Sequence, residues 1–302
     1  MMPICNQEAR ASELVRHYAP QIAGKIILIT GVSPGSLGES VVKQVAVAQP
    51  AMFILASRST SKMQNFIDEL GTAYPSIKVK PLYLSLLSFA DVRKAAEKVN
   101  SWTDVPHIDV LVNNAGIMAV PYNLTKDGFE SQFQTNHLSH FLFTNLLMGK
   151  ILASKTPRIV VVSSGVHRVG HFRWPDPNFN RGEHYQRWLG YGQSKTANAL
   201  MGVSLAEKLG YRGLLVFPIC PGVSLTNLAA HGSADLAAFS ADLTDMDNIH
   251  GNKISEQNGA FLSDCHVADP DKEEVYWWAT SRVDAERLWK MSEKLVGQEF
   301  KY

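Results

Sequence analysis

The chain has almost no net charge, few cysteines and no long apolar run, and each scarcity removes a class of protein. Twenty-nine Lys and Arg against 28 Asp and Glu leave a formal charge of +1 over 302 residues. That balance gives no electrostatic reason to bind nucleic acid or an anionic membrane. Cys5, Cys220 and Cys265 are odd in number and widely spaced. They fit neither a disulfide framework nor a zinc ribbon and suit a reducing compartment. No stretch approaches the roughly 18 apolar residues of a membrane span. Residues 1–16 lack the basic-then-apolar layout of a signal peptide. A cytoplasmic location is the expectation. Ten His are present, but only His167 and His171 fall four apart, in a loop-like stretch with Gly and Pro, so no metal is expected.

What is present is apolar content and alternation. Hydrophobic residues make up 45% and charged residues 19%, enough for one large α/β core. Residues 8–18 read as a short amphipathic helix with Leu14 and Val15 inward. The run Lys25–Thr30 is nearly all apolar, as a strand buried on both faces must be. Further strands are expected at 52–56, 78–84, 109–112, 158–162 and 214–218, with a possible seventh at 259–262. Helices are expected between them: after Gly38, at 61–73, 89–101, from Lys126 towards Ala153, and from Tyr191 to about Leu209. Two more follow at about 271–280 and 283–296. The pattern predicts a doubly wound parallel sheet in a single α/β domain over 1–302. Residues 1–24 form its N-terminal extension.

The first strand runs into Gly31-Val-Ser-Pro-Gly35-Ser-Leu-Gly38 and then a helical pattern. Strand, Gly-rich turn and helix make the first half of a βαβ unit. Backbone N–H groups at such a helix start hold a pyrophosphate, and the glycines let it approach. A plain Gly turn is the bland alternative, and the second strand arriving on schedule argues against it. At the tip of that strand, an acid binds the ribose 2′-hydroxyl, whereas an Arg suits a 2′-phosphate. This chain has Arg58 there, Lys62 one turn on, and no acid until Asp68, which favours NADP(H).

Tyr191-Gly-Gln-Ser-Lys195 places a phenol and an ammonium four apart, hence on one helix face. The ammonium lowers the phenol's pKa towards the working range of a general acid or base. With nine Tyr in the chain, chance alone supplies roughly half a match to this spacing, so context decides. Tyr74…Lys78 contains Pro75 and Tyr122…Lys126 follows Pro121 in a turn-like stretch. Only Tyr191 opens a long helical pattern.

Four motifs now stand in order: the Thr30-Gly31 turn, Asn113-Asn114-Ala115-Gly116, Ser164 ahead of Tyr191-x-x-x-Lys195, and Pro221-Gly222 after the sixth strand. Together they resemble the short-chain dehydrogenase/reductase family. The chain is most similar to its retinol-dehydrogenase-like and WW-domain-oxidoreductase-like branch, especially the fungal members, which often serve secondary metabolism. Thr135-Asn136-His137-Leu138, Val162-Ser-Ser164…His167, Asp176-Pro-Asn-Phe179 and Asn258-Gly259-Ala260…Asp264-Cys265 carry the closer match.

The resemblance implies a catalytic set of Asn136, Ser164, Tyr191 and Lys195. Tyr191 exchanges the proton, and Ser164 holds the substrate oxygen. Lys195 depresses the Tyr191 pKa and holds the nicotinamide ribose, while Asn136 anchors a proton-relaying water. The cofactor, NADP(H), is expected against Gly31, Ser33, Gly35, Leu37, Gly38, Arg58, Lys62, Ser85, Asn113, Asn114, Ala115, Gly116, Tyr191, Lys195, Pro221, Gly222, Val223 and Thr226. The expected substrate is a hydrophobic small-molecule ketone or alcohol. Phe172, Trp174, Phe179 and Trp188 either wall its pocket with Met118 or bury the 165–189 segment against the domain.

Three departures from the family pattern matter. The phosphate turn is longer by one residue. Ser85 stands where the family usually has an Asp, and a neutral hydroxyl is the weaker acceptor. After Thr226 the usual apolar helix is missing, leaving 227–257 short and polar, from which impaired stability or assembly is expected. Two other readings stay open: an epimerase or dehydratase on the same fold, which the unbroken Tyr, Lys and Ser do not exclude, and, because of the missing helix, a catalytically impaired NADP-binding protein.

Overall fold

The computed structural model describes residues 10–222, 257–264, 266–272 and 274–302. Val223, Thr226 and all but the last residue of 227–257 lie outside the described residues, and so does the expectation attached to that segment.

Two short helices come first, α1 (Ala11–His17) and α2 (Ala19–Ile22). Val15 is the buried residue of α1, which packs on the helix after the Gly-rich turn. The strands are β1 (Ile26–Thr30), β2 (Met52–Ser57), β3 (Lys78–Tyr83), β4 (Val110–Asn113), β5 (Arg158–Val162), β6 (Leu215–Cys220), β7 (Leu262–Ser263) and β8 (His266–Val267). The helices between them are α3 (Leu37–Ala46), α4 (Gln64–Ala73), α5 (Phe89–Ser101), α6 (Ser131–Phe133), α7 (Ser139–Leu146), α8 (Met148–Leu152), α9 (Arg187–Leu209) and α10 (Arg282–Val296).

The strands form one sheet in the order β3-β2-β1-β4-β5-β6-β7-β8, parallel except for the β7–β8 hairpin. Alternation along β1 explains the layers. Ile26 and Leu28 face a core shared with α5, α7, α9 and α10, whereas Ile27 and Ile29 face one shared with α3 and α4. A sheet covered on both faces needs continuous apolar strands, which is how β1 and β2 read.

Strand order reverses between β1 and β4, so their carboxyl ends open a crevice at the topological switch point. Thr30 and Asn113 end those two strands. The foot of the same pair is closed by buried Asp109, which accepts hydrogen bonds from the Ile26 N–H (2.8 Å) and the Ser154 hydroxyl (2.6 Å).

Three expected elements differ. The helix from Lys126 starts at Ser131, because Asp127-Gly128 makes a turn (Gly128 φ +86°) and Glu130 then caps the helix. Its carboxylate accepts from the Gln132 and Phe133 N–H groups at 2.9 and 2.8 Å. That helix is also not uniform: Gln134–Leu138 forms a π-helical segment between α6 and α7. The seventh strand is Leu262–Ser263, since Gly259 (φ +88°) still belongs to the turn before it.

Among the described residues, the helix expected over 271–280 is absent. Two 3₁₀ turns, Pro270–Lys272 and Trp277–Ala279, replace it. The Tyr276 N–H, which a continuous helix would use internally, instead donates to the His167 ring at 3.2 Å.

Candidate active site

The turn at the head of β1 is built by hydrogen bonds that hold two loops together. The Thr30 hydroxyl oxygen accepts from the Asn114 and Ala115 N–H groups at 2.9 and 3.0 Å. Asn114 returns its amide N–H to the Thr30 carbonyl at 2.8 Å. Gly31 has φ +76°, and a Cβ on it would stand 2.7 Å from the Ala115 Cα. A Cβ on Gly38 would stand 2.7 Å from the Gly31 carbonyl oxygen. Both contacts are with backbone, so only glycine fits.

Ser36 caps α3, its hydroxyl accepting from the Ser33 and Glu39 N–H groups, each at 3.1 Å. The Gly35 N–H donates to the Glu39 carboxylate at 2.6 Å. The N–H groups of Leu37 and Gly38, at the first turn of α3, have no partner among the described residues. Two free amides at a helix start, over a crevice kept clear by glycine, fit the pyrophosphate of a dinucleotide. Gly38→Ala is expected to weaken coenzyme binding by at least about tenfold, because its Cβ cannot be accommodated without moving the turn. Fluorescence titration with NADPH measures this.

Arg58 and Lys62 lie just past β2, exposed and without a hydrogen bond or ion pair among the described residues. Ser85 is half-buried after β3. Asn113 is buried and donates to the Thr144 hydroxyl at 2.8 Å, so its side chain joins β4 to α7 and turns from the crevice. Pro221 and Gly222 are exposed past β6.

The second half of the site gathers on α9, every residue of which is buried from Gly190 to Ala206. Lys195 lies over the Tyr191 ring, its ammonium 5.5 Å from the centroid. That ammonium donates to the Val162 carbonyl at 2.9 Å, and the Ser163 hydroxyl donates to the Lys195 carbonyl at 2.7 Å. These two bonds dock the end of β5 onto α9 and bring Ser164 to Tyr191. Burial pushes the Tyr191 phenol above its ordinary value, and the hydrogen bond with Ser164 pulls it back. Burial also brings the Lys195 ammonium down to about 8. The half-buried Cys220 thiol lies close enough to act electrostatically on both groups.

Asn136 sits in the π-helical segment, where the irregular turn aims its side chain at the loop after β4. Its amide oxygen accepts from the Ile117 N–H (2.9 Å), and its amide nitrogen donates to the Ile117 carbonyl (3.0 Å) and the Ser194 hydroxyl (2.8 Å). Gly116 packs between this amide and Lys195: a Cβ there would stand 3.1 Å from Asn136 Oδ1 and 3.7 Å from Lys195 Nζ. The structure thus brings Asn136, Ser164, Tyr191, Lys195 and Gly116 together beside the switch-point crevice.

Two buried histidines were not assigned to the site from sequence. His140 joins the Asn136 carbonyl through Nδ1 (3.0 Å) to the Thr30 hydroxyl through Nε2 (3.0 Å). Burial holds it at about 4, so the ring is neutral and bridges the π-helical segment to the Gly-rich turn. No spacing in the sequence points to that role. His167 belongs to a motif already noted, but its partner, Tyr276, is 109 positions away.

Around Tyr191 the wall is apolar, made by Met118, Ala119, Val166 and Trp188. Phe172 and Phe179 are buried elsewhere, Phe172 against Phe133 and Phe179 against Tyr185. Those two bury their own segment, and Trp188 and Met118 remain beside the phenol.

A doubly wound sheet with a glycine cradle at the switch point and a Tyr–Lys–Ser cluster beside it defines a dinucleotide-dependent oxidoreductase. Comparison with known proteins agrees. The short chain dehydrogenase family profile matches residues 25–176. Human retinol dehydrogenase 13 is 30% identical over 295 residues, covering 92% of this chain and 86% of that protein. A crystal structure of an uncharacterised protein from Mycobacterium paratuberculosis superposes with a TM-score of 0.69 at 32% identity, covering 94% of this chain and 98% of the other. A short chain dehydrogenase from Escherichia coli CFT073, complexed with NADPH, shares the fold with a TM-score of 0.60 at 22% identity, covering 82% of this chain and 98% of that one. The chain belongs to the short-chain dehydrogenase family. No helix among the described residues is long and apolar enough to cross a membrane.

Proposed function

We propose that this chain is an NADP(H)-dependent oxidoreductase. It interconverts a carbonyl and a secondary alcohol on a hydrophobic small molecule. The observation that carries this reading is the convergence of the Ser164 hydroxyl, the Tyr191 phenol and the Lys195 ammonium at the end of β5. When bound, the nicotinamide cofactor supplies or accepts the hydride.

The protein's part is orientation and proton delivery. Ser164 hydrogen-bonds the substrate oxygen. Tyr191 gives its proton to that oxygen in reduction and takes one in oxidation. Lys195 lies over the face of the phenol ring and holds the nicotinamide ribose. Asn136 fixes the Ile117 loop against Ser194 and so keeps the floor of the site in place. Leu37 and Gly38 offer amides to the pyrophosphate, and Arg58 with Lys62 offers charge to a 2′-phosphate. The apolar wall of Met118, Val166 and Trp188 suits a hydrophobic substrate, and the name of the human relative, retinol dehydrogenase 13, is that of an enzyme for an apolar alcohol.

NADPH oxidation with a panel of hydrophobic ketones tests the reaction; cofactor binding without turnover on any carbonyl overturns it. The cofactor choice has its own test. Arg58→Ala is expected to weaken NADPH binding by about tenfold or more, equivalent to losing a charge-assisted contact, with NADH binding unchanged. Equal binding of the two cofactors by the unaltered protein overturns the choice.

A further inference from the structure

His167 is completely buried, and both of its ring nitrogens are engaged. Its backbone N–H donates to the Ser164 carbonyl at 3.1 Å, and its Nδ1 lies 2.8 Å from the same oxygen. The Tyr276 N–H can only donate, so Nε2 is the acceptor at 3.2 Å and Nδ1 carries the proton. The Ser164 carbonyl therefore takes two hydrogen bonds from one residue.

The His167 carbonyl is held as firmly. It accepts from the Trp278 indole N–H at 3.1 Å, and the Thr196 hydroxyl, next to Lys195 on α9, directs its one proton mainly to the nearby Gly170 carbonyl at 2.8 Å, with the His167 carbonyl oxygen at 3.3 Å. Phe261 packs on the imidazole with centroids 4.9 Å apart. Ser164 itself has an extended backbone, and its hydroxyl oxygen accepts from the Val166 N–H at 3.2 Å. Rotation at Ser164 would break that bond and both bonds to its carbonyl.

We propose that His167 is a positioning residue for the reaction, fixing the Ser164 hydroxyl against Tyr191 and tying that geometry to the docking of residues 275–279. This rests on the function proposed above. The imidazole is suited to the task because one neutral ring donates at one end and accepts at the other. The two ends reach segments that the chain separates by more than a hundred residues, Ser164 and Tyr276. Loss of the far end would loosen the near one, and a small displacement of a reacting group is costly in rate.

The test separates the far contact from simple packing. Tyr276→Pro removes the N–H that His167 accepts, and Tyr276→Ala removes the ring but keeps that N–H. Tyr276 has φ −87° and ψ 146°, close to what proline imposes. Tyr276→Pro and His167→Phe are expected to lower kcat for carbonyl reduction roughly ten- to hundredfold, with the KM for NADPH unchanged. Hydrogen exchange of amides 164–169 should accelerate in both. Tyr276→Ala should stay near the parent in both readouts. Equal losses in Tyr276→Pro and Tyr276→Ala would mean ring packing alone and would overturn the proposal. Parent-like kcat and exchange in Tyr276→Pro would overturn it too. If the parent reduces no carbonyl, the function proposed above fails, and the exchange comparison decides this inference separately. Should Tyr276→Pro not fold, Trp278→Phe deletes the indole donor to His167 and is judged by the same two measurements.

Discussion

Tyr191→Phe is expected to lower kcat roughly a thousandfold, the size of effect that a positioned general acid supplies, while NADPH binding and folding stay close to the parent. The ring would keep its place among Met118, Val166 and Trp188, so packing is preserved. What is lost is the proton. Among the described residues, the ionisable groups acting on the phenol are the Lys195 ammonium and the Cys220 thiol. The Lys195 ammonium does not take over that role: it lies over the ring face, 5.5 Å from the centroid, and donates to the Val162 carbonyl. Stopped-flow or steady-state NADPH oxidation gives kcat, and fluorescence titration gives the binding. A variant that still turns over at near-parental rate would remove Tyr191 from the proton-transfer role.

The second large effect is acid lability. Burial holds His137 at about 3, and His140 and His167 at about 4, against 6.5 for a free imidazole. All three are therefore neutral in the native protein near pH 7. As pH falls below 6.5 the unfolded chain binds protons that the native chain refuses, so stability falls with pH. Each group costs up to about 1.4 kcal/mol per pH unit. Between pH 6.5 and 5 the three together remove on the order of 5 kcal/mol, a large part of a typical domain's stability.

Glu130 acts in the opposite direction. Its burial raises the carboxyl above the ordinary value, so the native state takes up that proton first and is favoured as pH falls through its window. One such group does not offset three histidines. The urea midpoint should therefore drop steeply between pH 6.5 and 5, and a flat midpoint over that range would show that the imidazoles are not held neutral.

The histidines also mark where sequence reading stops. His137 was visible in a motif and His140 was not. Yet His140 connects Asn136 to Thr30, two residues that the sequence had already placed in the site. Periodicity and turn chemistry act over about four residues, so they locate β1, the Gly31–Gly38 turn and the Tyr191–Lys195 face. They say nothing of a hydrogen bond between residues 109 positions apart, such as Tyr276 to His167. The same limit explains the segment 271–280: its apolar residues suit a helix, but the Tyr276 N–H is taken by a distant imidazole. It explains Asn136 too, since a π-helical turn leaves no mark on a 3.6-residue pattern.

By itself, the sequence determined the alternation of strands and helices, the glycine cradle at the end of β1 and the Tyr–Lys face of α9, because each is set by residues close together in the chain. Tertiary structure decided that Ser164 meets Tyr191, that Asn136 closes on Ile117 and Ser194, and that His167 locks Ser164 to the C-terminal segment. Those outcomes depend on which buried polar groups find partners once the layers have packed, and burial makes an unpaired group too costly to leave.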